Sequence, residues 1–258
     1  IIQACGDVPV AVNLKCEEEY RISLEALESA VSEKTRLLII NFPNNPTGKV
    51  LSPEDRQALT CFLQKHPRII LLSDEIYEKI IYPGYEAVSL ASVPELFQRT
   101  IIVNGFSKSC AMTGWRLGYL ACCPDIYNVI MKLFQHTISC TSGFLQKAAI
   151  VALDCRDEME QMRLAYEKRR DLLYEGIRKI PGLHMLRPQG AFYAWIRFDT
   201  SMDSETLCNY LLDHAKIAGV PGSAYGEESC TCVRFSFAAS EDLLRQMLKR
   251  LEALCTLP

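Results

Sequence analysis

The sequence predicts an α/β protein: a mostly parallel sheet sandwiched by helices, followed by a smaller α+β domain at the C-terminal end. Three observations carry that prediction. TRLLIINF, RIILLSDE and TIIVNGF are continuous apolar runs of strand length, a pattern that belongs to parallel sheets covered on both faces. Helix-patterned segments lie between them, the alternation of a parallel α/β architecture. After a long charged helical stretch, DEMEQMRLAYEKRRDLLYEGIRK, the order changes to paired strands and single helices. The expected domains are residues 1–155, which form the large one, and residues 156–258, which form the small one with its bridging helix.

In chain order, IIQACG reads as the tail of a helix running into VPVAVNL, a short strand. This opening carries no basic stretch and no small-residue cleavage pattern, so it does not read as a secretory leader. SLEALESAV is a helix with Ser23 as N-cap and apolar residues at helical spacing. TRLLIINF is a strand that ends in NFPNNPTG, a Pro/Asn/Gly loop. SPEDRQALTCFLQ opens with Ser52 as cap, Pro53 at the first helical position and acids in the first turn. RIILLSDE is a strand with acids at its carboxyl end, SLASVPELF a helix, and TIIVNGF and RLGYLACC are further strands. From Pro124 to about Ile180 the pattern is mostly helical. PGLHMLRPQGAFYAWIRF then reads as two strands around a turn, SETLCNYLLDHAKI as a helix, CTCVRFSFA as a strand and SEDLLRQMLKRLEALC as a final amphipathic helix.

Composition excludes several classes. A net charge of −3 argues against nucleic acid or an anionic membrane as partner. The longest apolar runs, such as LLIINF and AAIVAL, fall far short of a membrane span. The twelve cysteines include no C-x-x-C pair, and the four histidines have no metal-pair spacing, so neither a metal nor a disulfide framework is expected. Cys61, Cys122, Cys140, Cys208 and Cys255 sit in apolar surroundings and read as small core residues. A reducing, cytoplasmic compartment fits this usage.

In parallel sheets ligands gather where strands end at their carboxyl edge. There the chain places Asn45 after LLIINF, Asp74 after RIILLS and Lys108 after TIIV. Tyr77, Ser107, Arg116 and Arg234 complete a set of singular residues. Each alone has an ordinary reading: turn chemistry for Asn45, a cap for Asp74, core for Tyr77, surface charge for Lys108 and Arg116, a snorkelling strand residue for Arg234. Together they match what pyridoxal phosphate requires. An amine forms a Schiff base with its aldehyde, and an acid opposite the ring nitrogen keeps that nitrogen protonated. A hydroxyl and a guanidinium hold the phosphate, and a second guanidinium grips a substrate carboxylate in a bidentate fork. Trp115 reads as packing, and Gly114 and Gly118 as places of close backbone approach.

NFPNNPTG, SDEIYE, SKSCAMTGWRLGY, PQGAFYAW and VPGSAYG with VRFSFA resemble the ordered motifs of the fold-type-I, class I/II pyridoxal-phosphate aminotransferases. They are most similar to the subgroup holding many aspartate aminotransferases and broad-specificity relatives. The resemblance spans nearly the whole chain, and S-K followed by T-G-W-R-x-G-Y is its most specific part. It implies an enzyme that moves an amino group between an L-amino acid and a 2-oxo acid by a ping-pong mechanism, with pyridoxal 5'-phosphate as cofactor. Lys108 is similar to the lysine that carries the Schiff base and later shuttles the Cα proton. Asp74 would pair the ring nitrogen, and Tyr77 and Asn45 would hydrogen-bond the ring's phenolic oxygen. Ser107 and Arg116 would hold the phosphate, and Arg234, helped by Asn45, the substrate α-carboxylate. For a complete chain the resemblance implies a homodimer.

The chain departs from the family pattern in two ways. The family's amino-terminal region supplies a phosphate-cradling loop, an aromatic ring stacked on the pyridine and a tyrosine that reaches the partner subunit's phosphate. It has no counterpart among these residues, so 1–155 is expected to be a partial cofactor-binding domain and the chain a fragment that keeps the lysine half of the site. Gly105 stands three before Lys108, where relatives often carry a hydroxyl, which implies a weaker phosphate grip. Two alternatives share these residues: a pyridoxal-phosphate lyase that cleaves a C–S bond or another β-substituent, and an inactive truncated relative.

Overall fold

A computed structural model describes residues 2–226 and 231–254. The first sheet is built from Leu37–Asn41 (β1), Ile70–Asp74 (β2), Thr100–Gly105 (β3) and Gly118–Ala121 (β4), in spatial order β1-β2-β3-β4. The first three are parallel and β4 runs antiparallel to β3. Crossovers between parallel strands need about a dozen or more residues and commonly contain a helix. Leu24–Ala30 (α1) precedes β1 and is capped by Ser23, whose hydroxyl accepts from the Ala26 amide. Pro53–Lys65 (α2) joins β1 to β2 and starts with a full capping box: the Ser52 hydroxyl accepts from the Asp55 amide, and the Asp55 carboxylate from the Ser52 amide. Leu59, Phe62 and Leu63 of α2 pack on Ile40, Leu71 and Leu96 in the core of this half.

Pro94–Phe97 (α3) and Phe106–Ser109 (α4) are single turns on either side of β3. Pro124–Thr137 (α5), Gly143–Ala152 (α6) and the 22-residue Arg156–Ile177 (α7) then lead to the second half. Its sheet, Leu183–Met185 (β5), Tyr193–Phe198 (β6), Val220–Pro221 (β7) and Cys232–Ser236 (β8), has the order β5-β6-β8-β7 and is antiparallel throughout. Ser204–Tyr210 (α8) and Glu241–Ala253 (α9) complete it. Leu173 and Ile177 of α7, Ala194 and Ile196 of β6, Val233 and Phe235 of β8 and Leu251 of α9 form the second core.

The two halves are stitched at the segment before β6. Gln189 and Gly190 both donate their amides to the Gly48 carbonyl, at 2.9 and 2.8 Å, and Ile81 bridges Gly190. Arg170 of α7 is buried with its guanidinium 4.2 Å from the centre of the Tyr82 ring, and donates to the Pro188 carbonyl. This stitching sets residues 191–193 against the carboxyl edge of the first sheet.

Several local expectations are corrected. VPVAVNL is not a strand: residues 7–15 carry no regular structure, and Val8 and Val10 are exposed. An extended apolar segment becomes a strand only where another backbone pairs with it, and no strand lies beside this one among the described residues. SLASVPELF is not one helix but a 3-10 turn, Leu90–Ser92, and α3, because Pro94 holds Val93 extended. The first sheet has the mostly parallel order expected, and its most exposed residues lie on its two edge strands, β1 and β4. Leu37 and Ile39 of the edge strand β1 and all of β4 are exposed or partly so. Cys61 and Cys140 are exposed rather than core, the first off the buried stripe of α2 and the second beyond α5, while Cys122 and Cys208 are half-buried; Cys255 lies outside the described residues. Trp115 is exposed rather than packed. No group of His, Cys, Asp and Glu among the described residues is placed to hold a metal ion. No described helix is long and apolar enough to cross a membrane.

Candidate active site

The ends of β1, β2 and β3 bring three of the singular residues to one edge. Asn41, the last residue of β1, donates to the Asp74 carbonyl at 3.1 Å and accepts from the Asn45 amide at 2.9 Å. The loop carrying Asn45 is thereby tied to the end of β2. Asp74 closes β2; its carboxylate accepts from the Ile76 amide at 3.2 Å and meets no cation among the described residues. Burial, opposed by that amide, pushes the Asp74 carboxyl above the usual aspartate value. Lys108 follows β3 on α4, half-buried, its ammonium 5.7 Å from the centre of the Phe192 ring and without a carboxylate partner among the described residues.

Phe192 and Tyr193 come from the second half, on either side of the start of β6. Tyr77 lies edge-on to both rings, with centroids 5.6 and 5.7 Å away. Its hydroxyl shares a 2.9 Å hydrogen bond with that of Tyr193. Burial, and then that bond, raise the Tyr77 phenol well above the usual tyrosine value, so Tyr77 is a neutral donor throughout the physiological range. Arg234 on β8 completes the arrangement. Its Nη1 donates to Asn45 Oδ1 at 2.8 Å, and its guanidinium lies between two aromatic faces, 4.5 Å from Tyr193 and 5.4 Å from Tyr225. Its Nε is buried with no hydrogen-bond partner among the described residues, an arrangement that favours an incoming acceptor.

Ser107 shares α4 with Lys108, and Arg116 follows a 3-10 turn, Thr113–Trp115. Thr113 connects them: its hydroxyl donates to the Ser107 carbonyl at 2.9 Å, and its carbonyl accepts from Arg116 at 3.1 Å. Arg116 is exposed and adopts a left-handed backbone, φ 53°. No contact joins it to Asp74 or Tyr77. Gly105 has a reason the sequence did not offer. It faces Gly118 across β3 and β4, and a Cβ there would stand 2.8 Å from the Gly118 Cα and 2.9 Å from the Leu117 carbonyl. Gly118 is likewise close to the Asn104 carbonyl, whereas a Cβ on Gly114 would meet open space, so close approach explains one of that expected pair and not the other.

Sequence reasoning does not single out Tyr193 and Phe192, although PQGAFYAW contains both. Alternation along β6 puts Tyr193 and Trp195 on one face, but the partner that makes Tyr193 notable, Tyr77, is 116 residues away. Among the described residues, an amine and a half-buried acid without ionic partners, a neutral phenol and a guanidinium with an orphaned nitrogen form a donor set that fits a ligand with an aldehyde, a cationic ring nitrogen and anionic groups.

This fold, with polar chemistry at the carboxyl edge of a parallel sheet and one cation contributed by a second, antiparallel sheet, matches known proteins over nearly its whole length. The profile of the family "aminotransferase class I and II" covers residues 1–251, and the chain belongs to that family. It is 41% identical over 253 residues to the aromatic-amino-acid aminotransferase 2 of Thermococcus litoralis, covering 96% of this chain and 64% of that protein. It is 40% identical over 246 residues to the aspartate aminotransferase of Musicola paradisiaca, covering 94% and 61%. Among solved structures, the aspartate aminotransferase from Rhizobium meliloti superposes with a TM-score of 0.93 at 34% identity, covering 98% of this chain and 66% of that one. The aromatic aminotransferase from Pyrococcus horikoshii gives 0.92 at 39%, covering 96% and 67%. The chain thus spans a little over three-fifths of the length of these two curated relatives, at 64% and 61%.

Proposed function

We propose that the protein to which these residues belong is a pyridoxal-phosphate-dependent aminotransferase, moving an amino group between an L-amino acid and a 2-oxo acid. One observation carries this reading. Lys108 and Asp74 stand at the carboxyl ends of adjacent parallel strands, and neither has an opposite charge beside it among the described residues. An amine and an acid kept apart at one sheet edge are what a cofactor with an aldehyde and a basic ring nitrogen can complete. The names of the relatives support transamination over elimination.

Pyridoxal phosphate, when bound, supplies an electrophilic aldehyde and a ring that takes up the electrons left as a Cα–H bond breaks. The chain's own residues do the rest. Lys108 Nζ would hold the cofactor covalently and would carry the proton that leaves the substrate's Cα. Asp74 would pair with the ring nitrogen and keep a proton on it, and the same ion pairing would offset the burial that disfavours its charge. Tyr77 and Asn45 would donate to the ring's phenolic oxygen. Ser107 and Arg116 would hold the phosphate, and Arg234, steadied by Asn45, would receive the α-carboxylate through its fork. We further assign residues 1–155 to the cofactor-binding domain and 156–258 to the small one, and expect a cytoplasmic homodimer.

The test is covalent. Incubation with pyridoxal phosphate followed by borohydride should add one reduced cofactor by intact mass, and Lys108→Ala should abolish it. An adduct that persists on another lysine rejects the assignment. With a panel of amino acids and 2-oxoglutarate, a new amino acid should form; pyruvate and ammonia without one would instead establish a lyase.

A further inference from the structure

Tyr77 has one hydroxyl proton. If that proton goes to the phenolic oxygen of the cofactor ring, its 2.9 Å contact with the Tyr193 hydroxyl keeps a single sense: Tyr193 donates and Tyr77 accepts. The same Tyr193 ring lies 4.5 Å beneath the Arg234 guanidinium. One side chain therefore touches, at its tip, the phenol that faces the cofactor and, on its face, the cation that faces the substrate. Resting on the function proposed above, we propose that Tyr193 is a positioning residue that joins these two: it supplies the first bond of a relay from Tyr193 through Tyr77 to the ring oxygen, and it is the aromatic floor that aims Arg234.

Three features of the fold favour this over a tyrosine that merely fills core. Tyr193 is buried, yet its hydroxyl finds no backbone carbonyl among the described residues and bonds Tyr77 alone, whereas nearby Tyr82 spends its hydroxyl on the Ala191 carbonyl. Tyr193 begins β6, an interior strand of the second sheet, and pairs with Ser236 of β8, so its position is held by the β6–β8 ladder that also carries Arg234. Arg234 is two residues from that partner on β8, and its fork is fixed at one nitrogen by Asn45 and on its faces by Tyr193 and Tyr225, which leaves Nε for a ligand. A donated hydrogen bond polarises the acceptor's own O–H and strengthens what that O–H donates. Tyr193 thus acts on the ring oxygen without touching it.

Two substitutions separate the two functions of the side chain. Tyr193→Phe keeps the floor and removes the relay. The cofactor-loaded protein should then bind 2-oxoglutarate with nearly unchanged affinity. The pH at which the bound cofactor's visible band changes should move upward by about half a unit, because a less stabilised ring oxygen keeps its neighbouring proton longer. Tyr193→Leu removes both, and should add a loss of about tenfold in affinity for 2-oxoglutarate. A Tyr193→Phe protein that loads cofactor on Lys108 and titrates like the unsubstituted one overturns the relay. A Tyr193→Leu protein with unchanged affinity overturns the floor. Failure of the unsubstituted protein to form a borohydride-fixed adduct removes the parent reading and this one with it, and so is distinguishable from either.

Discussion

Arg234 and Asn45 meet through a 2.8 Å hydrogen bond although 189 residues separate them, and that bond joins the antiparallel sheet of the second half to the loop after β1. It orients a guanidinium that also lies against the faces of Tyr193 and Tyr225. A lysine in its place would keep the charge and lose both the planar fork and the stacking. Arg234→Lys should therefore lower kcat/KM by about 100-fold, chiefly through KM, as expected for one charged bidentate contact of about 3 kcal/mol. Asn45→Ala should destabilise the fold by about 1–2 kcal/mol in denaturant titrations, because it leaves a second guanidinium nitrogen without its acceptor.

Asp74 gives a pH signature in the cofactor-free protein. Its folded pKa is raised by burial, so the fold favours the neutral carboxyl. Below the ordinary aspartate value both states hold the proton and the group is without effect. As pH rises through that value and then the raised one, the folded form loses stability relative to the unfolded. Asp74→Asn should consequently raise the thermal midpoint of the cofactor-free protein at about pH 7 and leave it unchanged at about pH 3. The same substitution should weaken cofactor function, since it removes the charge opposite the ring nitrogen. A variant less stable at neutral pH would show that Asp74 has a counter-charge.

Gly105 and Gly118 offer a graded test of backbone approach. A methyl group at Gly105 would meet backbone atoms on both sides at 2.8 and 2.9 Å, and backbone cannot rotate away. Gly105→Ala should cost about 1–3 kcal/mol and, because Lys108 follows on the next turn, should also reduce the yield of the borohydride-fixed adduct. Gly114→Ala, facing open space, should change stability by no more than about 0.5 kcal/mol.

Elements whose cause is local are legible in the sequence. Ser23 and Ser52 cap helices because a hydroxyl three residues from an amide is a sequence-level signal, and the apolar runs ending at Asn41 and Asp74 are strands of the expected direction. The residues at those strand ends are legible too, because few side chains of that chemistry follow buried strands. What escapes depends on distant neighbours. VPVAVNL has strand periodicity but no paired backbone, and the exposed side of β1 is a consequence of its place at a sheet edge. The reason for Gly105 is visible only with Gly118 opposite it. Tyr193 matters through Tyr77 and Arg234, neither of which is near it in sequence.

The loop after β1 depends on a buried ion pair, and acid should find it. Lys49 Nζ lies 3.1 Å from Asp55 Oδ2, with side chains only 8% and 1% exposed. Asp55 also accepts from the Ile22 and Ser52 amides, at 2.8 and 3.0 Å, and Lys49 donates to the Glu19 carbonyl. Burial alone would raise the Asp55 carboxyl; the two amides and then Lys49 outweigh it and hold it below the usual value. A lowered folded pKa means stability that is present above the ordinary aspartate value and is lost as pH falls through the folded one. Asp55→Asn should therefore cost about 3–5 kcal/mol at neutral pH by leaving Lys49 buried without its counter-charge. That deficit should shrink on acidification, when the unsubstituted protein loses the same charge. Replacing the pair together, Lys49→Met with Asp55→Leu, should recover the ionic part of the loss and retain about 1 kcal/mol for the missing helix cap. A double variant no more stable than Asp55→Asn would show that the two amide bonds, rather than the lysine, are what the carboxylate is there to satisfy.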